Sequence, residues 1–321
     1  MARTTTKKTH APGSTELFEQ ARYTPKNHSV AKLLNEYSSK YMQVFDKVKS
    51  DWNPAIREFY RSAMGLRLYS GTKGKKVVGD AGVPIQIRPD RDDTFMKAVD
   101  DMLPNLDFER YAALRGLRDA LLRTSAHFTE DPERKRIHDW MLADIRSYLQ
   151  ANSLAGPFTE MMNKPGKHRS LFGLYTYEDQ HIELFYMPLL IFCKYNEVDL
   201  QWAIVVVLAH ELAHAYHHAG KDNDGRVWVN MPKAHLWIKE GLAEYYTEWF
   251  VKAHEREYPA LRKVYDRLLQ GSGEEYTSYL EWKEDHSLEQ VKLALSMVRR
   301  HDVRTYEAFK GKLAEAKRLM N

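Results

Sequence analysis

His210-Glu211-Leu212-Ala213-His214 sets two histidines four residues apart, with a glutamate directly after the first. On a helix, side chains four apart share a face, so both imidazoles can aim a ring nitrogen at one metal ion. Glu211 follows about a quarter turn round, beside such an ion rather than on it. A general base must sit there to take a proton from a water held by the metal. Two histidines do not complete a zinc site. A catalytic zinc takes three protein ligands and keeps one position for water. Glu240, 26 residues after His214, is the candidate for the third ligand.

The element that must carry the histidines reads as a helix. Asp199 is a fitting N-cap and Gly220 a fitting stop, which leaves roughly five turns between them. The β-branched run Ile204-Val205-Val206-Val207 could serve a buried strand. The cap-to-glycine span has helix length, however, and the run leads straight into the histidine pair. A helix apolar on every side in its first half is a buried helix. Three ionisable residues at its inner end are costly unless something pairs with them, and a metal ion does so.

A second motif, Trp237-Ile238-Lys239-Glu240-Gly241-Leu242-Ala243-Glu244-Tyr245, accompanies the first. The two together resemble the gluzincin branch of zinc metallopeptidases, over residues 174–249 of this chain. The resemblance implies one Zn2+ per chain, held by His210, His214 and Glu240, with Glu244 hydrogen-bonding a ligating histidine. It also implies a zincin-like catalytic domain in which a small sheet precedes the metal helix and its edge strand binds an extended peptide. In such enzymes a Tyr or His beyond the glutamate motif stabilises the oxyanion. Tyr276, Tyr279 and His286 are the candidates here, and Tyr276 is the one carried forward. Spacing supports part of this independently. Glu240 and Glu244 share a helical face, and a carboxylate that orients a ligating histidine is a common arrangement.

The chain departs from the aminopeptidases of that branch. Its gap between His214 and Glu240 is longer and it has no G-x-M-E-N motif, so the zinc site carries over and aminopeptidase specificity does not. A metzincin reading fails because Gly at position 217 and His at 220 are required, and this chain has His217 and Gly220. His235 is the rival to Glu240 as third ligand. His217 lies about 10 Å along the axis from His210, too far for one ion to hold both histidines and His214. With His218 it reads as the polar C-terminal end of the helix, favoured by the dipole there. Asp222-Asn223-Asp224-Gly225 lacks the later ligands of a calcium loop and reads as a turn.

Composition fits a soluble enzyme. The 321 residues carry a formal net charge of +4, with 48 basic and 44 acidic residues intermixed, so no nucleic-acid footprint is expected. No apolar run approaches membrane-spanning length. The single cysteine, Cys193, cannot form an internal disulfide. With no apolar signal segment near the start, the expected location is cytoplasmic.

The expected class is α+β and predominantly helical. Residues 1–29 are expected to form a disordered tail, 30–155 a helical N-terminal region and 156–321 the catalytic domain. Helical periodicity covers 30–48, 54–64, 92–102, 107–127 and 131–152. Within 71–90, Val77-Val78 and Ile85-Gln86-Ile87 suit a small hairpin, and Gly71-Thr72-Lys73-Gly74-Lys75-Lys76 reads as a flexible basic loop. Residues 156–170 suit a linker, and 174–177 and 181–186 two strands around a turn. Helix returns after Glu244, breaks at Gly271-Ser272-Gly273 and resumes near Ser287. These readings converge on zinc-dependent hydrolysis of a peptide or protein substrate, with Glu211 as base. The alternative is a zinc-bearing binding or regulatory protein with little turnover.

Overall fold

The computed structural model describes residues 24–68, 83–90, 94–128, 131–162, 171–270 and 272–321. Along them run α1 (His28–Lys47), α2 (Asn53–Met64), β1 (Ile85–Arg88), α3 (Thr94–Met102), α4 (Phe108–Thr124), α5 (Pro132–Ala151) and α6 (Ala155–Met162). There follow β2 (Gly173–Thr176), β3 (His181–Phe185), α7 (Tyr186–Asn196), α8 (Leu200–Ala219) and α9 (Leu236–His254). The chain closes with α10 (Pro259–Gln270), α11 (Glu274–Thr277), α12 (Leu288–His301) and α13 (Tyr306–Met320). The fold is therefore α+β and predominantly helical, and among the described residues no helix is long and apolar enough to cross a membrane.

Helix α8 is the axis of the molecule. The Asp199 carboxylate accepts the Trp202 N–H at 3.1 Å and so starts the helix. Every residue from Ala203 to His217 is buried, because α2, α7, α9, α10, β2 and β3 all pack around it. Two tyrosines tie it to α2: the Tyr60 hydroxyl donates to the Ala209 carbonyl at 3.0 Å, and Tyr216 donates to the Arg57 carbonyl at 2.9 Å. Arg299, from α12, closes the far end. Its guanidinium donates to the carbonyls of Gly220 (2.7 Å), His217 (2.8 Å) and Tyr216 (3.1 Å). A cation on the last turn both satisfies orphan carbonyls and faces the negative end of the helix dipole.

Gly220 does not end α8 through a left-handed turn, since its φ/ψ is −65°/137°. It is needed for space: a Cβ there would lie 2.4 Å from the Tyr216 carbonyl oxygen. The sheet runs in the order β1-β3-β2, with β2 antiparallel to β3. The expected hairpin around Ile85 is not what forms. Ile85–Arg88 pairs in parallel with β3, Ile85 opposite Ile182 and Arg88 opposite Phe185. A long-range partner thus takes the place of the local one, and Val77 and Val78 lie outside the described residues.

One hydrophobic core gathers Val30, Ile56, Ile87 and Ile145 with Leu208, Phe250 and Leu313, taking residues from both sides of position 156. The linker expected at 156–170 is helical as far as Met162. Pro157 falls in the first turn of α6, where its missing N–H forfeits no intrahelical bond. Residues 163–170 lie outside the described residues, as do 1–23 of the expected tail. The tail's last residues are anchored: Lys26 and Asn27 donate their backbone N–H groups to Asp100, and the buried Asn27 amide donates to the Leu103 carbonyl at 2.9 Å.

Candidate metal centre

The middle of α8 presents His210 and His214 to one side, and the first turns of α9 bring Glu240 against them. His210 Nε2 and His214 Nε2 each lie 3.2 Å from Glu240 Oε2, and 3.1 Å from each other. Three atoms with lone pairs thus converge in a near-equilateral triangle. Tetrahedral zinc with ligand bonds of about 2.0–2.1 Å spaces its ligands by roughly 3.3 Å, so the triangle is within a few tenths of an ångström of one face of that tetrahedron. Nitrogen from two imidazoles and oxygen from one carboxylate is also a donor set that zinc accepts. The residues fit the ion, and among the described residues they form the one group of three or more His, Cys, Asp or Glu side chains placed to hold a metal.

The electrostatics follow from charge buried at close range. Burial pulls the His210 imidazole down, but the facing Glu244 carboxylate and the contact with Glu240 outweigh it and hold His210 well above its usual range. Burial pushes Glu240 up, and the facing His214 and His210 rings reverse that, leaving the carboxyl well below the usual range. Glu244 Oε1 lies 3.0 Å from His210 Nδ1, on the ring's far side from Glu240, in an ion-pair contact outside good hydrogen-bond alignment. Glu244 therefore stands behind His210, a candidate ligand, in ion-pair contact with its ring.

Glu211 is 4% exposed and touches the other wall of the site. Burial raises its carboxyl, the His210 and His214 rings lower it in part, and the Tyr175 backbone N–H also holds it through a hydrogen bond. Strand β2 comes this close because residue 173 is glycine: a Cβ there would meet Val207 Cγ1 at 2.7 Å and Glu211 Cγ at 3.0 Å. Gly241 serves the opposite side. A Cβ at that position would lie 2.5 Å from Ser278 Oγ, so the glycine lets α9 approach the segment that carries Tyr276.

Of the three candidates for the oxyanion, only Tyr276 reaches the centre. Its ring lies 5.6 Å from the His210 ring, and burial with Glu240, Glu211 and Glu244 nearby keeps its phenol protonated far above the ordinary range. Tyr279 is core, fully buried, with its hydroxyl 3.0 Å from that of Tyr265. His286 binds the Trp282 carbonyl through Nδ1 at 2.8 Å. His235 is exposed and caps α9, accepting the Trp237 N–H on Nδ1 at 3.3 Å, which removes it as a rival ligand. The Asp222 segment is a turn as read, with Asp222 Oδ1 accepting from Asp224 and Arg226 and φ of 77° at Gly225.

Two sequence readings need correction. His217 is not the polar end of α8 but is fully buried, because Arg299 has taken over the capping of the carbonyls. His218 turns toward β2, its Nδ1 3.0 Å from the Tyr175 hydroxyl. The sequence also gave no hint of Tyr177. Its phenol is pushed well up by burial and by Glu240 and Glu211, so it belongs to the rim of the site. In the sequence it reads as the last residue of the strand 174–177, whereas β2 ends at Thr176 and Tyr177 opens the turn. Comparison of the chain with family models, curated proteins and solved structures gave no match.

Proposed function

We propose that this chain is a zinc-dependent peptidase with a zincin-like catalytic centre of gluzincin type, acting on a peptide or protein. The observation that carries the reading is the triangle of His210, His214 and Glu240 at 3.1–3.2 Å with an intact carboxylate, Glu211, beside it. A site built only to hold structure is closed by a fourth ligand and has no use for a base at that position. Zinc, when bound, would polarise the scissile carbonyl and acidify the attacking water.

The protein's own groups supply the rest. Glu211 takes the proton of the attacking water and later delivers it to the leaving amine. Its raised pKa makes it a stronger base toward the water's proton, and a pKa nearer working pH suits a group that must both take and return a proton. Tyr276 stays protonated, and its ring 5.6 Å from that of His210 supports it as the donor to the oxyanion that develops on the carbonyl. Glu244 fixes the His210 ring. Strand β2 is an edge of the sheet and lies against α8, so an extended peptide can add to it through backbone hydrogen bonds.

The test compares the zinc-loaded protein with Glu211→Gln on a proteome, reading new peptide termini. Gln keeps the shape of Glu without its basicity, so cleavage should fall about 10²–10⁴-fold at equal zinc content. Equal cleavage by the two proteins would remove Glu211 from the mechanism. Zinc held by both with no cleavage by either would favour a zinc-bearing binding protein.

A further inference from the structure

An apolar cavity of about 130 Å³ opens beside Glu211. Phe158 of α6, Phe172 ahead of β2, Phe192 of α7, Val206 and Val207 of α8 and Leu268 of α10 wall it. Its polar lining is the candidate centre, through His210, Glu211, Glu244 and Tyr276, together with Ser272, whose hydroxyl already donates to the Leu268 carbonyl at 2.9 Å. The size is informative, because an apolar protein cavity of about 150 Å³ accepts benzene. A phenyl ring or a branched aliphatic side chain fits such a space. A carboxylate, ammonium or amide would leave water for aromatic and aliphatic walls that return no hydrogen bond, and burying it would cost free energy.

Resting on the peptidase reading, we propose that this cavity receives the substrate side chain next to the bond to be cleaved and selects phenylalanine- and leucine-like residues. The placement follows from α8. Val207 and Glu211 are one turn apart on that helix, and Gly173 of β2 packs between them. A backbone lying along β2 with its carbonyl at Glu211 therefore passes the mouth of the cavity. Edge pairing gives backbone affinity with little regard to sequence, and the cavity adds the selection that pairing lacks.

The experiment measures binding rather than turnover. Four small hydroxamates, which anchor on zinc, carry a benzyl, isobutyl, methyl or carboxymethyl side chain, and their affinities for the zinc-loaded full chain are read by calorimetry. The benzyl and isobutyl probes should bind at least about ten-fold more tightly than the methyl probe, with carboxymethyl weakest. Leu268→Trp, which fills the cavity from a half-buried position, should remove the benzyl advantage while leaving the methyl probe within about two-fold. If that variant does not fold, Phe158→Ala serves instead, and the loosened wall should weaken the benzyl probe selectively. Equal affinities for all four probes at full zinc occupancy would overturn the selection and leave the peptidase reading standing. Failure of the wild-type chain to take up zinc would overturn the peptidase reading itself, and the cavity's role with it.

Discussion

His210 and His217 lie two turns apart on α8, both buried, and their pKa values move in opposite directions. Around His210, α9 supplies the carboxylates of Glu244 and Glu240 and α8 itself that of Glu211, and these outweigh the cost of burying a charge. Around His217 burial dominates, the Arg299 guanidinium adds to it, and the ring packs on Tyr246. Neither nitrogen of His217 has a hydrogen-bond partner among the described residues. The same side chain on the same helix is thus a charge-bearing ligand candidate in one place and a neutral filler in the other. What decides is what the neighbours bring: carboxylates from the first turns of α9 at one level, the Tyr246 ring of α9 and the Arg299 guanidinium of α12 at the other.

The sharpest way to break this comparison is to remove ligands. Purified protein should hold about one zinc per chain, and His210→Ala or Glu240→Ala should lose it, because two remaining ligands are too few to keep the ion. His217→Ala and His235→Ala should retain it. Metal analysis after dialysis decides the matter, and full occupancy in His210→Ala would rule out the triangle as the site.

Arg299 tests the other end of the helix. Arg299→Ala strips the carbonyls of Tyr216, His217 and Gly220 of their buried donor. A few orphaned acceptors should cost about 2–4 kcal/mol of stability, seen in denaturant unfolding. Zinc per folded chain should not change. A stability loss below about 1 kcal/mol would mean that water replaces the guanidinium without difficulty. Glu244→Ala should do the reverse, with folding little altered and zinc affinity down roughly 10–100-fold as the His210 ring loses its orienting partner. Unchanged affinity in a competition titration would show that the 3.0 Å contact does not hold the ring.

These two ends also differ in how far the sequence discloses them. Two sides of the candidate centre were legible because their geometry is local, i, i+4 pairs putting His210 with His214 and Glu240 with Glu244; that the two pairs meet was expected only from the resemblance. Capping chemistry likewise located the start of α8 at Asp199; helix was expected to resume near Ser287, and there the structure shows a full capping box with Gln290 opening α12. The burial of His217 was not legible, because it depends on Arg299 arriving from 82 residues away. The parallel partner of Ile85–Arg88, the approach of Gly173 to Glu211 and the cavity walls from four helices are equally tertiary. Tyr276 was already the candidate carried forward, but nothing in the sequence says why Tyr279 and His286 fail: that rests on α11 packing against α9 and on Tyr279 and His286 being taken up elsewhere.

The smallest effect is the most specific to His217. Replacing it with Phe exchanges a buried ring with two unpartnered nitrogens for an apolar one, so stability near pH 8 should stay within about 1 kcal/mol of wild type. The difference should appear on acidification. A buried neutral histidine with a lowered pKa contributes stability above the unfolded value of about 6.5. That stability is lost as pH falls below 6.5, because the unfolded chain binds a proton that the folded chain refuses. His217→Phe removes this proton uptake, so its stability should fall less than that of wild type between about pH 7.5 and pH 5.5. The carboxylates and histidines of the metal centre titrate in both proteins, so their contribution largely cancels in the difference. Chemical denaturation at the two pH values measures it directly. If both proteins lost the same stability, His217 would have to accept its proton in the folded state, and the contrast with His210 would collapse.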